Sequence, residues 1–116
     1  PTSDLLMKLA ESLRDYHQAN GDFVAAKAGP TPIAACCKNP STYCEPNVSD
    51  WNDYVWKELE FGVYEKHRVQ LTYEGTLETV TVTARAEIGC DGRYETLRLN
   101  GRIDGGKPLF EIAAPK

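Results

Sequence analysis

Four cysteines, Cys36, Cys37, Cys44 and Cys90, are the side chains of this 116-residue sequence best suited to chemistry. Three of them fall in the stretch AACCKNPSTYCEP, Ala34 to Pro46. A structural zinc site wants ligands spaced Cys-x2-4-Cys with a second pair of Cys or His further on. Here the first pair has no spacer, and His17 and His67 offer no second knuckle. A thiol redox centre wants Cys-x-x-Cys near a helix start, a spacing that is also missing. The pattern therefore favours two disulfides over one disulfide with two free thiols or a metal site. A bridge between the neighbours Cys36 and Cys37 would close a strained ring outside relaxed disulfide geometry. Two connectivities remain, in which one neighbour bonds Cys44 and the other reaches Cys90; which goes where stays open. In the chain-entropy description the short bridge is worth up to roughly 2.5 kcal/mol and the long one up to roughly 4. Two disulfides imply an oxidising, extracytoplasmic place of work.

Other chemistry finds little footing. Neither His17 nor His67 stands in a nucleophile–base motif, and the acidic residues are dispersed, with no pair marking a glycosidase-like site. Asp91-Gly92 and Asp104-Gly105-Gly106 are oxygen-bearing turns that a calcium ion could use, but the dense ligand run of an EF-hand is absent. They are read as turns. There is no glycine-rich phosphate cradle. No catalytic, cofactor-binding or metal-binding residue is expected, and no enzyme activity. The net charge of −4 and the scattering of basic residues argue against nucleic-acid binding. The densest basic cluster is Lys66-His67-Arg68, read as a solvated strand edge.

The elements that must carry these residues follow from periodicity. Leu5, Leu6, Leu9, Leu13 and Tyr16 recur at helical spacing, with Thr2 or Ser3 as cap and Asn20-Gly21 as exit, which predicts a helix over 4–19. Periodicity then vanishes across 22–48, where prolines and turn formers predict a long loop. A second, short helix is expected over 50–60, capped by Ser49 and ended by Gly62. It carries Trp51, Tyr54 and Trp56, read as anchors to the core or, alternatively, as an exposed aromatic contact surface. Residues 64–113 alternate. Val69, Leu71 and Tyr73, then Val80, Val82, Ala84, Ala86 and Ile88, then Leu97, Leu99 and Ile103 point inward, with turns at Glu74-Gly75, Asp91-Gly92 and Asp104-Gly105-Gly106. A last strand PLFEI puts Pro108 on a sheet edge. The fold class is α+β: one domain over 1–116, with a long amphipathic helix packed on a four-stranded antiparallel meander and a disulfide-stapled loop between them.

This order of parts resembles the soluble globular domain of a type IV pilin or a type II secretion pseudopilin. LRDYHQANGDF is similar to that family's helix exit into its αβ loop. WKELEFGVYEKHRVQLTYEG followed by VTVTARAEIGCDGRYETLRLNGRIDGG resembles a bacterial pilin-like subfamily. There a Trp-x-x-Leu-x-Phe segment, here Trp56, Leu59 and Phe61, precedes the sheet, and an Asp-Gly hairpin follows the second strand. The likeness covers nearly all of the chain. The family's mature N-terminus, Phe or Met with Glu at the fifth position leading an apolar membrane helix, is not among these residues, as expected of a trimmed piece.

The resemblance implies a structural subunit, major or minor, acting by assembly and surface contact in adhesion, motility or secretion. Its partners would be identical or related subunits, the inner-membrane assembly machinery and a surface or host ligand, with no cofactor. The membrane would be engaged only through a segment absent from this chain. Its location would be an extracellular filament, reached from an inner-membrane-anchored precursor. Contacts would fall at Tyr43, Trp51, Tyr54 and Trp56. The rivals are a secreted binding or inhibitor domain of helix-on-sheet type, such as a cystatin-like module, and a small extracytoplasmic enzyme. Roughly twenty-five apolar residues encoded upstream of Pro1 would mark the pilin; a cleavable signal would mark a rival.

Overall fold

Residues 2–115 are described by a computed structural model. Helix α1 (Thr2–Asn20) buries Leu6, Leu9, Ala10 and Leu13, leaves Leu5 and Tyr16 half-buried at its margins, and turns Lys8, Glu11, Arg14, Asp15 and Gln18 to solvent. Thr2 and Ser3 lie within the helix rather than capping it. Its exit is as expected: Gly21 takes a left-handed φ of 83° and donates from its N–H to the His17 carbonyl at 2.7 Å.

The apolar stripe of α1 covers one face of an antiparallel sheet of five strands: β1 (Lys27–Thr31), β2 (Val69–Gly75), β3 (Thr79–Glu87), β4 (Tyr94–Asp104) and β5 (Lys107–Ala113). Spatial order equals chain order, so the sheet is a simple meander. The expected count of four strands is corrected to five, because β1 lies inside the stretch read as loop. Its sequence, KAGPT, breaks strand propensity twice. Both breaks are tolerated because β1 is an edge strand, paired only with β2 through an irregular register. At Gly29, with φ 102°, a Cβ would collide with the Leu71 carbonyl, so the close approach to β2 requires glycine.

The inward sets of β2 and β3 agree with the alternation: Val69, Leu71, Tyr73, Val80, Val82, Ala84 and Ala86 are buried. Ile88 is the exception. It lies past the end of β3 and is 48% exposed. On β4, Leu99 is buried, while Leu97 and Ile103 pack half-buried against the core. The β2–β3 turn falls after Glu74-Gly75 rather than on it: Thr76 Oγ1 accepts from the Thr79 N–H at 2.9 Å. Gly105 and Gly106 have φ of 60° and 81°, the paired left-handed conformation of a two-residue hairpin between Asp104 and Lys107. Pro108 sits on edge strand β5, as expected.

The helix expected over 50–60 is two short pieces, a 3-10 turn (Val48–Trp51) and α2 (Tyr54–Glu58). Each has its own cap. Asn47 Oδ1 accepts from the Ser49 N–H at 3.1 Å, and Asp53 Oδ1 from the Val55 N–H at 3.2 Å. Ser49 is therefore capped rather than capping. Gly62 does not end α2 either. Glu60 does, with φ 51°, while Phe61 N–H reaches back to the Trp56 carbonyl at 2.9 Å. This reversal folds Phe61 onto Trp56, whose ring also meets Trp51 and Tyr73 edge-on at 5.3 and 6.1 Å. Trp56 Nε1 donates to Thr31 Oγ1 at 3.1 Å, which pins α2 to β1.

Candidate functional site: the clamped loop

Between Pro32 and Asp50 the chain has almost no apolar anchor of its own, and covalent bonds take that role. Cys36 is bonded to Cys44, and Cys37 to Cys90. Both pairings expected to be open are thereby decided: the first neighbour closes the loop on itself, and the second ties it to the connection between β3 and β4. The physical reason is directional. Cys36 through Lys38 form one 3-10 turn, so adjacent side chains diverge; Cys36 is buried and Cys37 half-buried.

Hydrogen bonds complete the clamp. Cys44 and His67 exchange backbone bonds of 2.8 and 3.1 Å, an isolated antiparallel bridge just ahead of β2. Gln70 Nε2 donates to the carbonyls of Pro32 and Ile33 at 2.9 and 3.2 Å. Arg68 Nη2 donates to Thr42 Oγ1 at 3.3 Å, and Asn39 Nδ2 to the Tyr43 carbonyl at 2.7 Å. Thr42 takes a left-handed φ of 65°, and its N–H donates to the Asn39 carbonyl at 2.9 Å, making the tight reversal before Tyr43. The backbone is thus held from several sides while Ile33 remains 89% exposed and Val48 68% exposed. A groove of about 700 Å³ runs along this surface, lined by Ile33, Pro40, Tyr43, Glu45 and Asp50 among others. Ile33 and Val48 are contact candidates that sequence reasoning missed, since an isolated aliphatic in a loop carries no periodic signal.

Of the aromatic residues expected as surface contacts, Trp51 and Trp56 are buried, at 3% and 0% exposure, so both act as core anchors and neither presents a surface. Tyr54 is exposed on the outer side of α2. Tyr43 is half-buried at the loop, with Lys66 Nζ 4.7 Å and Arg68 Cζ 4.2 Å from its ring centroid. The structure brings Tyr43 together with the basic cluster, and leaves Tyr54 apart from it.

The remaining chemistry-bearing groups are accounted for locally. Cys36, Cys44 and His67 converge within 4.8 Å, as do Cys37, Glu87 and Cys90, but the sulfurs in each group are bonded to each other and offer no thiolate. Asp91 and Asp104 flank opposite ends of β4, so they do not share a cation. Asp91 is engaged by Arg93, whose Nε and Nη2 both lie at 2.8 Å. His67 Nδ1 accepts from the Val69 N–H at 3.3 Å. Burial is the main influence on His67 and holds its pKa below the ordinary value, so the ring favours the neutral form. Burial likewise raises the Tyr73 phenol, whose hydroxyl donates to the Val24 carbonyl at 2.8 Å. No described helix is long and apolar enough to cross a membrane. Comparison with protein-family models, curated proteins and solved structures found no match to this chain.

Proposed function

We propose that this chain is the globular domain of a structural subunit, pilin or pseudopilin, in a type IV pilus or related secretion filament. On this reading it works by assembly and surface contact, and carries no catalytic centre. The observation that carries the proposal is the clamped loop on its scaffold. A helix lies on an antiparallel meander, and the segment between them is held by two disulfides while Ile33 and Val48 stand in solvent. A loop ordered at this cost in conformational entropy, yet burying little, suits a surface that another molecule must meet in one shape. Both disulfides fit a subunit that matures in an oxidising compartment and works outside the cell.

The test is the coding sequence upstream of Pro1 together with mass spectrometry of the filament fraction sheared from source cells. A basic leader, then Phe or Met heading an apolar stretch of roughly twenty-five residues, with this chain in the sheared fraction, is the expected result. A cleavable secretory signal with the chain free in the medium would overturn it.

A further inference from the structure

The cluster Lys66-His67-Arg68, which the filament reading leaves unused, borders a cavity of about 290 Å³. Leu5, Val63, Val69 and Ala86 give this cavity apolar walls, and the three basic residues with Tyr43 form its rim. Lys66 and Arg68 both stack on the Tyr43 ring, at 4.7 and 4.2 Å from its centroid. Their charges are therefore no more than about 9 Å apart, close to one Debye length at moderate salt. Two cations gathered this closely repel, and neither forms an ion pair with a carboxylate among the described residues.

Arg68 is also under-used as a donor. Nη2 reaches Thr42, but Nε is buried with no acceptor, an uncommon state for a guanidinium nitrogen. His67 adds a third donor. With Nδ1 accepting from the Val69 N–H, the neutral ring carries its proton on Nε2. The opposing charges are Glu65, which also lines the cavity, and Asp50, which acts on His67 from the neighbouring turn.

We propose that this cavity binds the phosphodiester of an anionic lipid headgroup. Among the residues that line the cavity, Lys66 and Arg68 against Glu65 leave one net positive charge, and Asp50 lowers the local potential further, which suits a monoanionic phosphodiester better than dianionic free phosphate. The apolar walls match the glycerol and first methylenes that a lipid carries beside its phosphate and that a free phosphate lacks. Tyr43 pre-positions the two cations, so little side-chain freedom is lost on binding. The site does not depend on filament assembly, and its test uses the soluble chain alone.

The experiment is an NMR titration of the 15N-labelled protein with dihexanoyl phosphatidylglycerol below its micelle concentration. Dihexanoyl phosphatidylcholine and inorganic phosphate serve as parallel arms. Saturable shifts at the amides of Tyr43 and residues 66–68, with the His67 ring pKa rising on binding, are expected for the glycerol lipid. Lys66→Gln, at an exposed position that leaves the fold intact, should weaken binding roughly tenfold, and Arg68→Gln by at least as much. Inorganic phosphate binding as tightly as phosphatidylglycerol would overturn the lipid assignment. No saturable shift around the cavity, or an unchanged affinity in Lys66→Gln, would overturn the site itself.

Discussion

Two adjoining segments of this protein are ordered by different physics. Among the described residues from Pro32 to Asp50, only Cys36 and Cys44 are buried. From Trp51 to Val63, in contrast, Trp51, Val55, Trp56, Leu59, Phe61 and Val63 all enter the core. The second segment is held as most domains are, by apolar area removed from water and by edge-on aromatic contacts. The first has nothing comparable to bury and is held by cross-links and by hydrogen bonds to the start of β2. The difference teaches where a contact surface can be built. Burial consumes the side chains that do the holding, whereas a disulfide clamp spends only cysteines and leaves Ile33 and Val48 to face outward.

That contrast is open to direct attack. The largest effect should come from Trp56→Ala, which removes a fully buried ring together with its bond to Thr31. A loss of about 3–5 kcal/mol in urea unfolding is expected, with the loop disulfides still formed. Replacing Cys37 and Cys90 together by alanine should cost up to about 4 kcal/mol, and replacing Cys36 and Cys44 together up to about 2.5, by the same measurement. The two cysteine pairs should also differ in kind. Without Cys37–Cys90, limited proteolysis should cut within 32–50 while the helix–sheet core survives. Uniform loss of the whole domain would show that the loop and the core are not separable.

A smaller, pH-dependent effect belongs to the seam between the regions, where His67 meets Cys44. Burial lowers the folded-state pKa of His67 below its ordinary 6.5, so the unfolded chain binds that proton more readily. The stabilisation is complete above pH 6.5 and is lost as pH falls through the lower folded-state pKa. His67→Asn keeps an acceptor for the Val69 N–H and should flatten the fall in melting temperature between pH 7 and 5. An equally steep fall would assign the dependence to other groups. The smallest effect on stability, within about 0.5 kcal/mol, is expected for Ile33→Ser, because the side chain is in water already. If the loop is an assembly surface, the same substitution lowers the yield of sheared filaments. An unchanged yield would place the contact elsewhere.

Much of the scaffold was legible because its signals are local and repeated. The stripe of Leu6, Leu9 and Leu13 and the alternation from Val80 to Ala86 each recur several times within one element, and burial follows them. Misreadings occurred where a single tertiary contact outweighed local preference. KAGPT reads as loop on its Gly29 and Pro30, yet it pairs with β2 because Gly29 admits the Leu71 carbonyl and Thr31 meets Trp56. Glu60 ends α2 in a conformation usually left to glycine, because doing so drives Phe61 onto Trp56. The aromatic residues of α2 could not be sorted into anchors and contacts by type. Only the side on which the sheet lies separates buried Trp56 from exposed Tyr54.

The sequence by itself determined the α+β class, the apolar faces of α1 and of the central strands, and the exclusion of a Cys36–Cys37 bridge. Those depend on periodicity and covalent geometry, which are properties of neighbours along the chain. Only the tertiary structure decided that Cys36 takes Cys44 and Cys37 takes Cys90. Only it added β1 to the sheet and gathered Lys66, His67 and Arg68 around one cavity with Tyr43. Each of these joins residues distant in sequence, or chooses between equivalent neighbours, and no local pattern records which surfaces packing will bring together.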